Sequence, residues 1–343
     1  VTISDAALRA LPKAELHLHL EGAVAAETLA DLARKHGQAL DVDDPRELYR
    51  FTDLGSFLQM YGRVCDAVRD ADDFRRMTYE ALARVARSGG RYAEVFFSPA
   101  AHAGVDYAVM LDGIGAGVRD AATDFGIRAN VIPAHDRERG PDAGVAFVAM
   151  VLAHPRPYVI GIGLDYMEND PRPFAAMYAQ ARAGGLHVSA HAGEVGPAAH
   201  VRDSLDVLRC ERIDHGYYVV DDPALMARCR EAGTPFTACP TTTTYTTAWR
   251  DLDAPDHAIR RMLASGLALT INSDDPGLMR TTLFDEYRIL VDRFGASPAV
   301  VRDVCLNGAR SAWLPADERA ALVAAWSAEI DRHIDGPAVA APC

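Results

Sequence analysis

Leu16-His17-Leu18-His19-Leu20-Glu21-Gly22 is the stretch on which the reading of this chain turns. It closes the first apolar run. An open, doubly wound α/β sheet normally carries a glycine-rich phosphate loop at this place. His19-Leu20-Glu21-Gly22 stands there instead, which favours a closed barrel. Alternation along a strand sends His17 and His19 to one face and Leu18 to the other. Two imidazoles side by side at a strand end are natural ligands for a borderline metal ion.

Working outward, Glu15–Leu20 is the first of eight short runs that read as strands buried on both faces. The others are Tyr92–Ser98, Ile127–Pro133, Val159–Leu164, His187–Ala190, Arg212–Gly216, Pro235–Ala238 and Leu267–Ile271. Helical signals lie between them. Asp222 caps a segment with Pro223 at its first position and Gly233 at its end, and His257–Ser265 is closed by Gly266. Eight strands alternating with helices predict the α/β class and a (β/α)8 TIM barrel in one domain over residues 1–335. The segment 21–91 is too long for a simple crossover, so its helical patterns, Phe51–Tyr61 among them, predict additional helices covering the barrel mouth. Residues 336–343 read as a flexible tail.

Composition narrows the function. Lys and Arg number 35 against 48 Asp and Glu, a net charge of −13, and no basic block is present. That excludes a protein whose task is gripping nucleic-acid backbones. No apolar run approaches the roughly 18–20 residues of a membrane span, and Val1-Thr2-Ile3-Ser4-Asp5 has no leader pattern. Six scattered cysteines without a CxxC pair form no disulfide framework. A cytoplasmic setting is the expectation; the oligomeric state is left open.

Further ionisable residues follow later strands. His191 and Glu194 follow the fifth, His215 ends the sixth, and Asp274 and Asp275 follow the eighth. Each stands just past the carboxyl end of a predicted barrel strand, the face on which these barrels keep their active sites. His17, His19, His191 and Asp274 offer three imidazoles and a carboxylate, enough to hold a divalent ion such as Zn²⁺ and leave a place for water. Such an ion lowers the pKa of bound water toward neutrality. Glu194 is placed to deliver a proton, and His215 to orient the attacking hydroxide. The set describes hydrolytic attack on an electrophilic carbon.

In this order, Leu11-Pro12-Lys13-Ala14-Glu15-Leu16-His17-Leu18-His19-Leu20-Glu21-Gly22, His191-Ala192-Gly193-Glu194, Asp214-His215-Gly216 and Asn272-Ser273-Asp274-Asp275-Pro276 resemble the zinc-dependent adenosine and adenine deaminases of the amidohydrolase barrels. The resemblance implies Zn²⁺ on His17, His19, His191 and Asp274, and Glu194 protonating a purine at N1. It further implies His215 positioning the hydroxide at C6, Asp275 accepting a hydrogen bond from N7, and release of ammonia to leave a 6-oxopurine.

Departures from the family pattern bear on the substrate. Glu21 stands where adenosine-specific members carry Asp, facing the sugar. Tyr166 stands near a position where many have a Gly whose backbone approaches the purine. Thr241-Thr242-Thr243-Thr244-Tyr245-Thr246-Thr247 replaces Cys-Pro-x-Ser-Asn beyond the shared Cys239-Pro240, and reads as a hydroxyl-rich loop. Glu21, Tyr166 and Asp275 are therefore the expected substrate contacts. The expected partner is a small 6-aminopurine: adenosine or 6-aminodeoxyfutalosine first, with Arg63, Arg69 or Arg280 for the benzoate of the latter, and adenine third. The alternatives are an amidohydrolase acting on a non-purine ring and a barrel that binds a nucleoside without catalysis.

Overall fold

Eight parallel strands run around the molecule in sequence order: β1 (Lys13–Glu15), β2 (Gly90–Phe97), β3 (Arg128–Asp136), β4 (Gly161–Asp165), β5 (His187–Ala192), β6 (Arg212–His215), β7 (Pro235–Ala238) and β8 (Ala268–Ile271). The structure is a computed structural model that describes residues 3–40, 42, 44–52 and 54–334. Each strand pairs in parallel with the next, which excludes the doubly wound alternative and gives the TIM barrel. The tail 336–343 lies outside the described residues. No helix among the described residues is long and apolar enough to cross a membrane.

The first strand is shorter than its alternation predicts. Regular pairing stops at Glu15, and Leu16–Leu20 continues as single bridges, Leu18 to Asp274 and His19 to Phe96. The cause is local. The Leu16 N–H donates to the Asn272 side chain at 2.8 Å rather than to a neighbouring strand. His19 N donates to Asp274 O at 2.8 Å and Asp274 N to His17 O at 3.0 Å. These bonds close the barrel between its first and last strands.

The cap residues act as predicted. Asp222 accepts from Leu225 N at 2.9 Å ahead of the helix Pro223–Ala232, and Gly233 ends it with φ 65°. His257 caps Ala258–Ala264 through its own ring. Among the described residues between β1 and β2 lie a short 3-10 helix, Pro45–Glu47, and three α-helices, Ala26–Lys35, Leu54–Ala67 and Ala71–Arg87. The last packs on β2 and on the helix Tyr107–Phe125 as an ordinary crossover. Leu54–Ala67 covers the mouth through Phe57 and Leu58; it begins and ends later than the predicted Phe51–Tyr61.

The barrel interior is polar as well as apolar. Phe96, Ile132, Ala134 and Trp313 form one buried cluster. Beside it Arg212 meets Glu94 at 2.6 Å with both side chains fully buried, and lies 4.2 Å from the Trp313 ring centre. Removing either partner would strand a buried charge, a loss of about 3–5 kcal/mol.

Candidate active site

The carboxyl ends of β1, β4, β5, β6 and β8 meet in one cleft of about 490 Å³, open to solvent, whose wall includes His19, Asp165, Tyr166, His191, Glu194, His215, Asp274 and Asp275. His17 lies fully buried just behind it. Eight of the nine site residues predicted from sequence therefore converge, although they come from distant parts of the chain.

Four nitrogen and oxygen atoms crowd together. His17 Nε2 lies 3.1 Å from Asp274 Oδ1, and His19 Nε2 lies 3.5 Å from the same oxygen. His19 Nε2 and His191 Nε2 are 3.2 Å apart. The outer nitrogens set the tautomers. His17 Nδ1 faces Thr237 Oγ1 at 3.0 Å and Asp214 at 3.4 Å, and His191 Nδ1 donates to Leu164 O at 3.0 Å. The ring lone pairs on Nε2 are thus turned inward, and His17 Nε2 has no hydrogen-bond partner. Ligands about 2.0–2.2 Å from a tetrahedral ion sit roughly 3.3–3.6 Å from one another, close to these spacings. The donor set fits a divalent cation such as Zn²⁺.

Electrostatics put His191 and Asp274 in their ligating forms, whereas His17, between two carboxylates, holds a proton that a bound cation would displace. Burial drives His191 well below the usual imidazole range, with His17 and His215 adding to the effect, so it is held in the neutral, ligating form. Burial opposes the charge on His17, but Asp274 and Asp214 outweigh it and push the ring up to about 10. Burial likewise opposes ionisation of Asp274, yet His17 and the other imidazoles hold it well below the usual carboxylate range. Asp275 goes the other way: burial, then the neighbouring charges of Asp274 and Asp165, push it well up. Cys239 also approaches His17, His215 and Asp274, but burial keeps its thiol protonated. A third group, His36, Asp70 and Asp73, already holds the Lys35 ammonium, 2.6 Å from Asp73.

Glu194 Oε2 lies 3.7 Å from His215 Nε2, and its Oε1 accepts a hydrogen bond from Thr246 Oγ1 at 2.6 Å. The loop that carries Glu194 is anchored from below. Glu168 accepts from the backbone N–H groups of Gly193 at 2.6 Å, Glu194 at 3.0 Å, Val195 at 2.9 Å and Gly196 at 2.8 Å, and from His200 Nδ1 at 2.9 Å. Burial raises the Glu168 pKa, but His200 and these N–H groups outweigh it and hold the carboxyl down to about 2. Arg137, also buried, donates to the carbonyls of Leu164, at 3.1 Å, and His191, at 2.7 Å. Tyr166, His215 and Asp274 adopt left-handed backbone at φ 67°, 68° and 61°. Such conformations cost non-glycine residues about 1–3 kcal/mol each and gather at functional sites.

Three expectations need correction. Glu21 does not reach the cleft wall. It is fully buried, and its carboxylate accepts from Ser98 N at 2.8 Å and Tyr61 Oη at 3.1 Å and faces His102 Nε2 at 3.0 Å. The threonine run is not a loop but the helix Pro240–Thr246. Pro240 opens it, and Thr243 and Thr244 turn their hydroxyls back onto carbonyls three residues earlier. None of Arg63, Arg69 and Arg280 lines the cleft. Arg69 Nε binds Asp66 O at 2.6 Å, and Arg280 faces the carbonyls of Arg46 and Tyr49.

Asp165, Glu168, Arg137 and Thr246 went unassigned on sequence. Asp165 could have been found, because it ends a barrel strand as the other site residues do. Glu168 gives no such signal, since all but one of its partners are backbone groups.

The family model described as adenosine deaminase matches residues 12–328. The adenine deaminase of Cupriavidus taiwanensis is 36% identical over 349 residues, 98% of this chain and 97% of that protein. Among solved structures, an amidohydrolase from Burkhoderia ambifaria with bound Zn superposes with a TM-score of 0.90 at 38% identity, covering 98% of this chain and 95% of its own. The adenine deaminase of Arthrobacter aurescens gives 0.89 at 34%, covering 95% and 100%. A barrel whose strand ends gather four imidazoles, two adjacent aspartates and a glutamate, matched over nearly all of its length by these proteins, belongs to the adenosine deaminase family.

Proposed function

We propose that the protein is a zinc-dependent deaminase whose substrate is the free base adenine. The convergence of His17, His19, His191 and Asp274 on one point, with Glu194 and His215 beside it, carries the hydrolytic reading. The four would hold the ion, which when bound supplies Lewis acidity and a water that ionises near neutral pH. The chain's own residues do the rest. Glu194 moves a proton to ring N1 and later to the departing amine. His215 orients the attacking oxygen by hydrogen bonding and Asp275 grips N7. A carboxyl accepts from an N7–H when ionised and donates to N7 when protonated, so either form holds the ring.

Free adenine takes precedence over the nucleosides ranked ahead of it on sequence. The curated relative at 36% identity is named an adenine deaminase, as is the Arthrobacter structure. The geometry supports the same choice. Beyond Asp275 the cleft is walled by Phe57, Leu58, Tyr61 and Tyr166, and Tyr61 stands on the carboxylate of Glu21 that would otherwise meet a sugar. A free base can also carry a proton on N7, which a 9-substituted nucleoside gains only by becoming a cation.

Zinc-loaded protein is tested with adenine, adenosine and 6-aminodeoxyfutalosine, reading ammonia release and the ultraviolet change to the 6-oxopurine. Adenine is expected to be turned over with a kcat/KM about 100-fold or more above either nucleoside, the scale on which unfilled or overfilled pockets discriminate. Faster turnover of a nucleoside overturns the choice of base; no turnover of any of the three overturns the deaminase.

A further inference from the structure

The threonine run has no part in the mechanism above, yet it touches the residue at its centre. Pro240–Thr246 begins directly after β7, and its last residue turns its hydroxyl onto Glu194 Oε1 at 2.6 Å. That is a short O–H···O hydrogen bond. The same oxygen lies 3.2 Å from the carbonyl of Thr242, a longer and weaker alternative for the single hydroxyl proton. The proton therefore goes to Glu194.

We propose that Thr246 is a positioning residue for Glu194, an inference that rests on the deaminase reading for its kinetic form. A glutamate side chain has three rotatable bonds, and the anchoring of its backbone by Glu168 fixes the start of that side chain but not its end. Thr246 fixes the end. With Oε1 held by the hydroxyl, Oε2 is the oxygen left facing His215 and the cleft. One oxygen then carries the proton to and from the substrate, while the other stays bound throughout. The helix is suited to the task because it is rigid. Thr243 and Thr244 tie their own hydroxyls to carbonyls of Pro240 and Thr241 at 2.6 and 2.7 Å, and Glu286 accepts from the Thr241 N–H at 2.9 Å at the helix start.

The test compares Thr246→Val, which keeps the shape and removes the hydroxyl, with Thr246→Ser, which keeps the hydroxyl. Thr244→Val serves as control, since its hydroxyl bonds only within the helix. All are assayed as zinc-loaded full chains of equal metal content. Thr246→Val is expected to lower kcat for adenine about 10–100-fold while KM moves less than about threefold, the size of effect expected when a general acid is left misplaced. Thr246→Ser should recover kcat to within about threefold, and Thr244→Val should stay within about twofold of the parent. A Thr246→Val enzyme within twofold of the parent kcat, or a Thr246→Ser enzyme as slow as Thr246→Val, overturns the proposal.

A second readout does not depend on turnover. In protein carrying ¹³C at the glutamate carboxyls, the signal that Glu194→Gln removes should move in Thr246→Val and return in Thr246→Ser. An unmoved signal overturns the contact. If the parent protein deaminates no purine, the functional reading fails on its own, and this signal still decides whether Thr246 holds Glu194.

Discussion

The carboxylate of Asp275 fills the space that a side chain on Gly22 would need: a Cβ at Gly22 would lie 1.7 Å from Asp275 Oδ1 and 2.6 Å from its Cβ. Glycine is therefore required here by close approach, and the loop after β1 is shaped around a residue of the loop after β8. Their backbones are joined as well, Gly277 N donating to Gly22 O at 2.8 Å. Gly22→Ala should push Asp275 out of place, lowering kcat/KM for adenine about 100-fold or more. The overpacking should cost about 1–3 kcal/mol of stability. Steady-state kinetics and thermal unfolding of the same variant measure both effects.

Glu168 should contribute to the acid limb of stability. Its carboxyl is held down to about 2 from an ordinary value of 4.5, so its contribution is fully present above about pH 4.5 and is lost as the pH falls through 2. The difference is about 3 kcal/mol for a side chain only 2% exposed. Glu168→Gln should be destabilised by about that much at pH 7, and the gap to the parent protein should close toward pH 2. Denaturant titrations across that range check the sign.

Tyr166 combines an unfavourable backbone with a place on the cleft wall. Tyr166→Gly should relieve the left-handed strain, offsetting part of the packing lost with the ring, so that stability changes by less than about 1 kcal/mol. The same change opens the side of the cleft beyond Asp275. Adenosine turnover relative to adenine should rise about tenfold or more, on the scale of substrate discrimination by pocket contacts.

Ligand atoms already gathered in the fold make metal loading a stability term. With free Zn²⁺ at about a thousand times its dissociation constant, the folded state should gain about 4 kcal/mol. Melting temperature should rise accordingly and fall with a chelator, and His191→Ala should lose most of the response. Glu194→Gln should keep the response while kcat falls about 100-fold or more.

Much of this was legible in the chain. Seven of the eight strands lie where short apolar runs place them, because a strand buried on both faces must be apolar throughout. The ionisable residues stood out by interrupting that rule at strand ends. β1 was read too long because alternation marks which way side chains point, not whether the backbone stays in the ladder, and Leu16 leaves it for the Asn272 side chain. Four threonines in a row looked β-prone, whereas Thr243 and Thr244 turn their hydroxyls onto carbonyls three residues earlier in a helix. Glu21 looked like a sugar contact until Tyr61 and His102, from 40 and 81 residues away, proved to surround it.

The seam between Leu16–His19 and Asn272–Asp274 joins segments 256 residues apart. A chain leaving the ribosome from its amino terminus carries His17 and His19 long before Asp274 has been made. Contacts of such separation form late, since the loop between them must first be ordered. The complete ligand set thus comes into being only with the last strand. Metal capture as proposed would then mark a finished barrel, and a chain interrupted before β8 would keep the three imidazoles without Asp274.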